Sequence, residues 1–243
     1  MASKRPDEIQ YMTGKLSDRP YPSGVALLGD GGKFTPDGAV QHWPGNTFVC
    51  HVDPKSPAHA LIRELQEEIK KSPFNRFFTF LPAASLHMTV LQGFSSTTRL
   101  GKELPRDLYD GLGRDEITTA MLGRLAHVSL PKSFKVRAEG LFAGHSLTMI
   151  GASDGDEEAL NQARETLCDR TGLLFDDFDD YVFHITLSYL LDWLSERTAR
   201  ELADFGSQLG ARYCPAIDVI TLGPIEFCQF ESMHHFEPVK VFS

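Results

Sequence analysis

The chain has 243 residues, 42% of them hydrophobic and 10% aromatic, enough for one large domain or two intimate lobes with ample core. That composition excludes general disorder, and no apolar stretch approaches the length needed to cross a bilayer. A net charge of −9 disfavours long nucleic acids, which need concentrated basic surface, and leaves a small nucleotide or an RNA terminus as the better-fitting partner than a duplex.

Residues 1–45 read as an N-terminal extension. Its opening residues carry no apolar signal-peptide core, so a cytoplasmic location is expected. Val25 to Leu28, then Gly29-Asp30-Gly31-Gly32, then Lys33 onward predicts a hairpin. A phosphate-binding loop is the alternative, but no Gly-Lys-Ser/Thr follows. Pro44-Gly45-Asn46 marks a turn into a strand over Thr47 to Val52. Trp43 before it is a candidate stacking platform for a base, or a core residue. His51 shares a strand face with Thr47 and Val49, which makes it a further candidate for substrate contact.

Ala58 to Lys71 carries Leu61, Ile62, Leu65 and Ile69 at helical spacing, with Pro54 and Pro57 at its start. A strand over Ser85 to Leu91 follows, containing His87-Met88-Thr89. Next come a helix over Arg114 to Leu125 and a strand over Phe134 to Leu141. Ser146 to Gly151 is again a strand, and Glu157 to Asp169 a helix. Asp154 or Asp156 is its expected cap, and Gly172 lies just past its end. Val182 to Ser188 is a strand containing His184-Ile185-Thr186. A helix over Ser195 to Leu209 and a strand over Ile217 to Phe227 complete the pattern. The chain thus reads as two β-α-β-α-β units, with half-repeats at about 46–143 and 144–230 inside a domain spanning 46–243.

The doubled His-hydrophobe-Thr pattern carries the chemistry. Side chains alternate along a strand, so His and Thr at i and i+2 share one face while the residue between points into a core. Two such strands facing one another would set two imidazoles and two hydroxyls around one small anion, which provides a base, an acid and donors to phosphoryl oxygens. By the same parity Ser85 joins His87 and Thr89, and Ser188 joins His184 and Thr186. Arg137 lies on a polar strand face with Lys135 and Glu139, and its guanidinium makes it the preferred additional phosphate ligand. The acidic run Asp176 to Asp180 reads as a solvated connection, or as a gate that repels long polyanions.

Nine histidines occur, but none with metal-motif spacing, so no metal and no cofactor are expected, although a zinc site assembled from distant residues stays open. The four cysteines, Cys50, Cys168, Cys214 and Cys228, lie far apart without C-x-x-C spacing and are expected to be buried free thiols.

Paired His-hydrophobe-Thr motifs in two similar halves resemble the 2H phosphoesterase superfamily, which includes RNA 2′,3′-cyclic phosphodiesterases and relatives of 2′-5′ RNA ligases. The resemblance runs from about Thr47 to Phe230 and is greatest to a bacterial and fungal branch of unknown function. It implies a bilobal α+β fold with antiparallel-rich sheets around a central cleft. It also implies catalysis by His87 and His184 and phosphate binding by Thr89 and Thr186. The activity expected is metal-independent opening or hydrolysis of a cyclic phosphodiester, with ligation or transesterification at the same site left open. The rival readings are a nucleotide- or RNA-end-binding protein without turnover and a metal-dependent hydrolase. Natural substrate, oligomeric state and the division of acid and base between the histidines are not legible in the sequence.

Overall fold

The computed structural model describes residues 5–99, 101–108 and 112–242; residues 1–4, 100, 109–111 and 243 lie outside it. The elements are, in chain order, α1 (Glu8–Met12), β1 (Gly45–His51), α2 (Pro57–Lys71), β2 (Phe78–Phe80), β3 (His87–Ser95), α3 (Arg114–Arg124), β4 (Phe134–Phe142) and β5 (Ser146–Gly151). There follow α4 (Asp154–Thr171), β6 (His184–Thr186), β7 (Ser188–Leu190), α5 (Glu196–Ile217), β8 (Val219–Leu222), β9 (Glu226–Ser232) and β10 (His235–Val241). The mixture is α+β, as expected.

Eight strands form one sheet in the order β10-β9-β1-β3-β6-β5-β4-β8, and β2 pairs with β7 in a separate two-stranded sheet. β8 and β9 sit six positions apart, yet Gly223, Pro224 and Ile225 alone join them. A flat sheet at about 4.8 Å per strand would separate them by roughly 29 Å. The connecting backbone reaches at most ~15 Å, so the sheet must curl strongly. The single strand expected over Ile217 to Phe227 is therefore two strands in different halves of the sheet. Gly223 and Pro224 break it, since proline lacks the N–H a ladder needs.

Each motif strand has three strands on its outer side: β1, β9 and β10 beside β3, and β5, β4 and β8 beside β6. These spatial halves are not the sequence halves. β4, which precedes residue 143, pairs with β5 and β8, and β9, from the second repeat, pairs with β1. The half of the sheet around β3 takes β9 and β10 from the second half of the chain, and the half around β6 takes β4 from the first, which ties the two into one body.

Local chemistry explains the helices that brace the sheet. Ser56 caps α2 by accepting from the His59 N–H, with Pro57 in the first turn and Lys70 and Lys71 in the last. The cap of α4 is Ser153, which accepts from the Asp156 N–H, so Asp154 and Asp156 are first-turn acids and not the cap. Gly172 closes α4 in the left-handed region at φ 77°, as its position in the sequence suggested. α5 runs past Leu209 to Ile217, through Pro215, because buried Tyr213, Cys214 and Ile217 continue its apolar face.

The principal core lies between the sheet and the helices. Met88 and Ile185, the middle residues of the two motifs, are fully buried there with Leu65, Met121, Leu160 and Leu202. The opposite face of the sheet carries a smaller cluster of Phe34, Trp43, Val49, Leu81, Cys228, Phe230, Met233 and Phe236. Residues 24–41 do not form the expected hairpin. Val25 and Phe34 make an isolated parallel bridge, and Phe34 and Val40 an antiparallel one. The described part of the N-terminal 45 residues is integral to the fold, since Met12 and Phe34 are both fully buried.

Candidate functional site

The two motifs do not face one another across a gap. They are neighbours at the centre of one sheet, with Met88 opposite Ile185 in an antiparallel pair. Extending that register sets His87 beside Thr186 and Thr89 beside His184. The outer strands continue the rows, because His51 pairs with His87, Val49 with Thr89, Ser146 with Thr186 and Thr148 with His184. The two histidines thus occupy diagonal corners of a small quadrilateral and the two threonines the others. Diagonal Cβ atoms in such a ladder lie roughly 7–8 Å apart, which leaves room for one phosphate between the imidazoles. His87, Thr89, His184 and Thr186 all line one cleft of about 690 Å³.

Both imidazoles are held in the same way. Nδ1 of His87 donates to the Ser85 carbonyl at 2.6 Å, and Nδ1 of His184 donates to the Val182 carbonyl at 2.8 Å. A carbonyl only accepts, so each neutral ring carries its proton on Nδ1 and its lone pair on Nε2. Burial pushes His87 down to about 3 and His184 down to about 4, against the partial compensation of those carbonyls. His51 and His184 add to the effect at His87, and Arg5 adds to it at His184. Without a bound anion both rings are neutral near pH 7.

The cleft walls, and the layer behind them, hold residues that sequence reasoning passed over. Lys33, delivered by the glycine-rich loop, sits 4.6 Å from the centre of the Trp43 ring and donates to the Tyr189 hydroxyl at 3.3 Å. Its positive charge reaches both motif histidines. Tyr181 lines the cleft and donates to the Thr89 carbonyl at 3.2 Å, with the buried Arg164 guanidinium 4.1 Å from its ring centre. Arg5 donates to Thr148 Oγ1 at 3.1 Å and to Ser146 Oγ at 3.3 Å, next to the His184 row. Apart from the glycine run before Lys33, no local motif announces these contacts, which exist only after the chain has folded.

Residues 33–146 match the family model 2H-phosphodiest, described as a domain of unknown function (DUF1868). The chain belongs to the 2H phosphoesterase superfamily. The crystal structure of the conserved protein of unknown function ATU0111 from Agrobacterium tumefaciens strain C58 is similar along its whole length. It is 30% identical, covers 98% of this chain and 100% of its own, and superposes with a TM-score of 0.87. No curated protein matches. The matched residues of this 2H phosphoesterase include His87 and Thr89 but end before His184 and Thr186, which the sheet brings alongside.

Other candidates fall differently. Trp43 lines the cleft but is 8% exposed and stacked on Phe230, so its ring is packed against both Phe230 and Lys33. Ser85 is buried in a 3₁₀ turn, where its hydroxyl donates to the Pro82 carbonyl; it serves His87 through its own carbonyl. Ser188 does not continue the face of His184. β6 ends at Thr186, and Ser188 is fully buried in β7, paired with β2, with its carbonyl accepting from His145 Nδ1 at 3.0 Å. Arg137 is exposed on β4, among Glu8, Glu139 and Asp218 in a separate depression, and contributes nothing to the cleft. Parity put it on a polar face, but β4 lies two strands outside β6. His51 lies behind His87, ring centres 6.0 Å apart, with its Nδ1 2.6 Å from Glu226 Oε2, and does not line the cleft. Asp176 is tied to Arg99 and Lys102, which makes the start of the acidic run a surface clamp. All four cysteines are free thiols, and Cys50, Cys214 and Cys228 are buried. Among the described residues no helix is long and apolar enough to cross a membrane.

Proposed function

We propose that this 2H phosphoesterase hydrolyses a cyclic phosphodiester, a 2′,3′-cyclic phosphate on a small nucleotide or RNA end, by paired-histidine acid–base catalysis without a metal. The observation that carries the reading is the diagonal quartet of His87, Thr89, His184 and Thr186 on the floor of one cleft. A phosphodiester anion between the imidazoles favours protonation of one of them. The neutral ring takes the proton of the attacking water at Nε2, while the protonated ring gives its Nε2 proton to the departing ribose oxygen. Attack forms one P–O bond as the ring P–O bond breaks. Thr89 and Thr186 donate to the non-bridging oxygens as charge builds on them.

The surroundings favour a small or terminal substrate. The cleft volume of about 690 Å³ suits a nucleotide. Residues 19–33 wall one side of it, and Trp43, Tyr181 and Tyr189 supply aromatic surface. Lys33 adds positive charge to a protein that is acidic overall. The free thiols suit the reducing cytoplasm.

The test is turnover on a panel of cyclic nucleotides, cyclic-phosphate RNA ends and short RNAs. His87→Ala and His184→Ala are each expected to lower kcat by roughly 10²–10⁴-fold, with the double variant little worse than either. Near-normal turnover by both single variants would falsify the mechanism. Saturable nucleotide binding with no turnover at any pH would favour the binding-protein reading.

A further inference from the structure

The geometry points to a binding site for a divalent transition ion of the zinc class at His51, Glu226 and Cys228, on the same face of the sheet as the motif histidines but outside the cleft. Register builds it. Glu226 is the strand partner of Val49, two residues before His51, and Cys228 is the partner of Thr47. The period of two then puts His51, Glu226 and Cys228 on one face. The imidazole, carboxylate and thiol ligand atoms all lie within 4.8 Å of one another. Donors around a tetrahedral zinc stand roughly 3.3–3.8 Å apart, given bonds of about 2.0–2.3 Å. His51 Nδ1 and Glu226 Oε2 now share a 2.6 Å hydrogen bond, so an ion would take the place of that proton, spreading these two donors by about 1 Å and drawing the Cys228 thiol in by about as much.

The donor chemistry selects the ion. A thiolate disfavours magnesium and calcium, whereas mixed nitrogen, oxygen and sulfur donors suit zinc and cobalt. Carboxylate and thiolate together neutralise a double positive charge, which would otherwise be costly beside buried surface. Burial and the neighbouring Glu226 raise the Cys228 thiol far above its usual range, so the bare thiol keeps its proton. Binding a metal exchanges that proton for the ion and releases it to solvent, which makes affinity rise with pH. The His51 and Glu226 side chains are 24% and 22% exposed and give an entry path, with Cys228 as the buried floor. Three protein donors leave a fourth position for water. The ion would join β1 to β9 close behind His87, whose ring centre is 6.0 Å from that of His51. The inference does not rest on the phosphoesterase reading.

The experiment is a Co²⁺ titration of the reduced, chelator-stripped full-length protein, followed by absorption spectroscopy and Zn²⁺ displacement. The expected result is one ion per chain, a thiolate-to-cobalt charge-transfer band and tetrahedral d–d bands, all lost on adding Zn²⁺. Cys228→Ser should abolish the charge-transfer band. His51→Ala and Glu226→Gln, at partly exposed side chains, should each weaken Co²⁺ binding by at least tenfold, and they keep the test decisive if Cys228→Ser fails to fold. His87→Ala and His184→Ala should leave the spectrum unchanged. No thiolate band in the wild type, a band that survives Cys228→Ser, affinity unchanged in both His51→Ala and Glu226→Gln, or a band lost in His87→Ala would each overturn the assignment. None of these readouts uses turnover, so they stand or fall independently of the mechanism.

Discussion

Acid should weaken this fold through His145, and replacing that residue should remove a measurable share of the effect. His145 is 7% exposed, packed between Tyr11 and Phe78, and holds the chain just after the second motif. Its Nδ1 donates to the Ser188 carbonyl at 3.0 Å, and its own carbonyl accepts from the Leu187 N–H at 2.9 Å. Burial, with Arg5 nearby, lowers its pKa to about 4. The unfolded chain returns it to about 6.5. Below that value the unfolded state binds the extra proton, so the stabilising contribution is complete above about pH 6.5 and is lost as pH falls toward 4. Starting from pH 7, the loss comes to roughly 2 kcal/mol at pH 5 and ~3 kcal/mol at pH 4. His145→Asn keeps a side-chain N–H for the Ser188 carbonyl but does not titrate. Urea unfolding at pH 7 and pH 5 should show the wild type losing about 2 kcal/mol more than the variant between the two pH values. Whatever packing the substitution removes is common to both pH values and cancels in the difference. Equal pH sensitivity in the two proteins would refute the assignment of a depressed pKa to His145.

Thr89→Ala and Thr186→Ala should each cost about 1–3 kcal/mol of transition-state stabilisation, read as kcat/KM on a cyclic phosphate, with the fold unchanged by circular dichroism. A drop as large as that of the histidine variants would mean that the threonines do more than donate to phosphate. Because both motif histidines are depressed, to about 3 and about 4, kcat/KM should rise as pH falls from 8 toward 5 for as long as the fold holds. That rise belongs to the coupled pair and not to a single residue. The same turnover should survive thorough chelation, since no step uses a metal; chelator inactivation that added Mn²⁺ or Zn²⁺ reverses, and that persists in His51→Ala and Glu226→Gln, would move the protein to the metal-dependent class.

The sequence by itself marked most of the principal strands and helices and the polar face of each motif strand. Alternation exposed His87 and Thr89 on one side of Met88, and His184 and Thr186 on one side of Ile185, because a period of two is a local property of extended backbone. Helical spacing likewise marked α2, α3 and α4 to within a few residues at their starts, although Ser153, and neither aspartate, caps α4. What lay beyond reach was which strand neighbours which, since register and sheet order are set by burial across the whole molecule. Parity assigned Arg137 correctly to a polar face, and only the sheet order placed that face away from the cleft. Ser188 was lost for a related reason: β6 ends after Thr186, and the chain turns into a second sheet with β2. Lys33, Tyr181 and Arg5 come from three distant segments; Lys33 follows the glycine run weighed as a phosphate loop, but nothing near Tyr181 or Arg5 in the chain marks them as neighbours of the motif histidines. Tertiary structure also decided the protonation of the site. An isolated histidine titrates near 6.5, and it is the burial of both rings in the folded protein that pushes His87 and His184 well below that value.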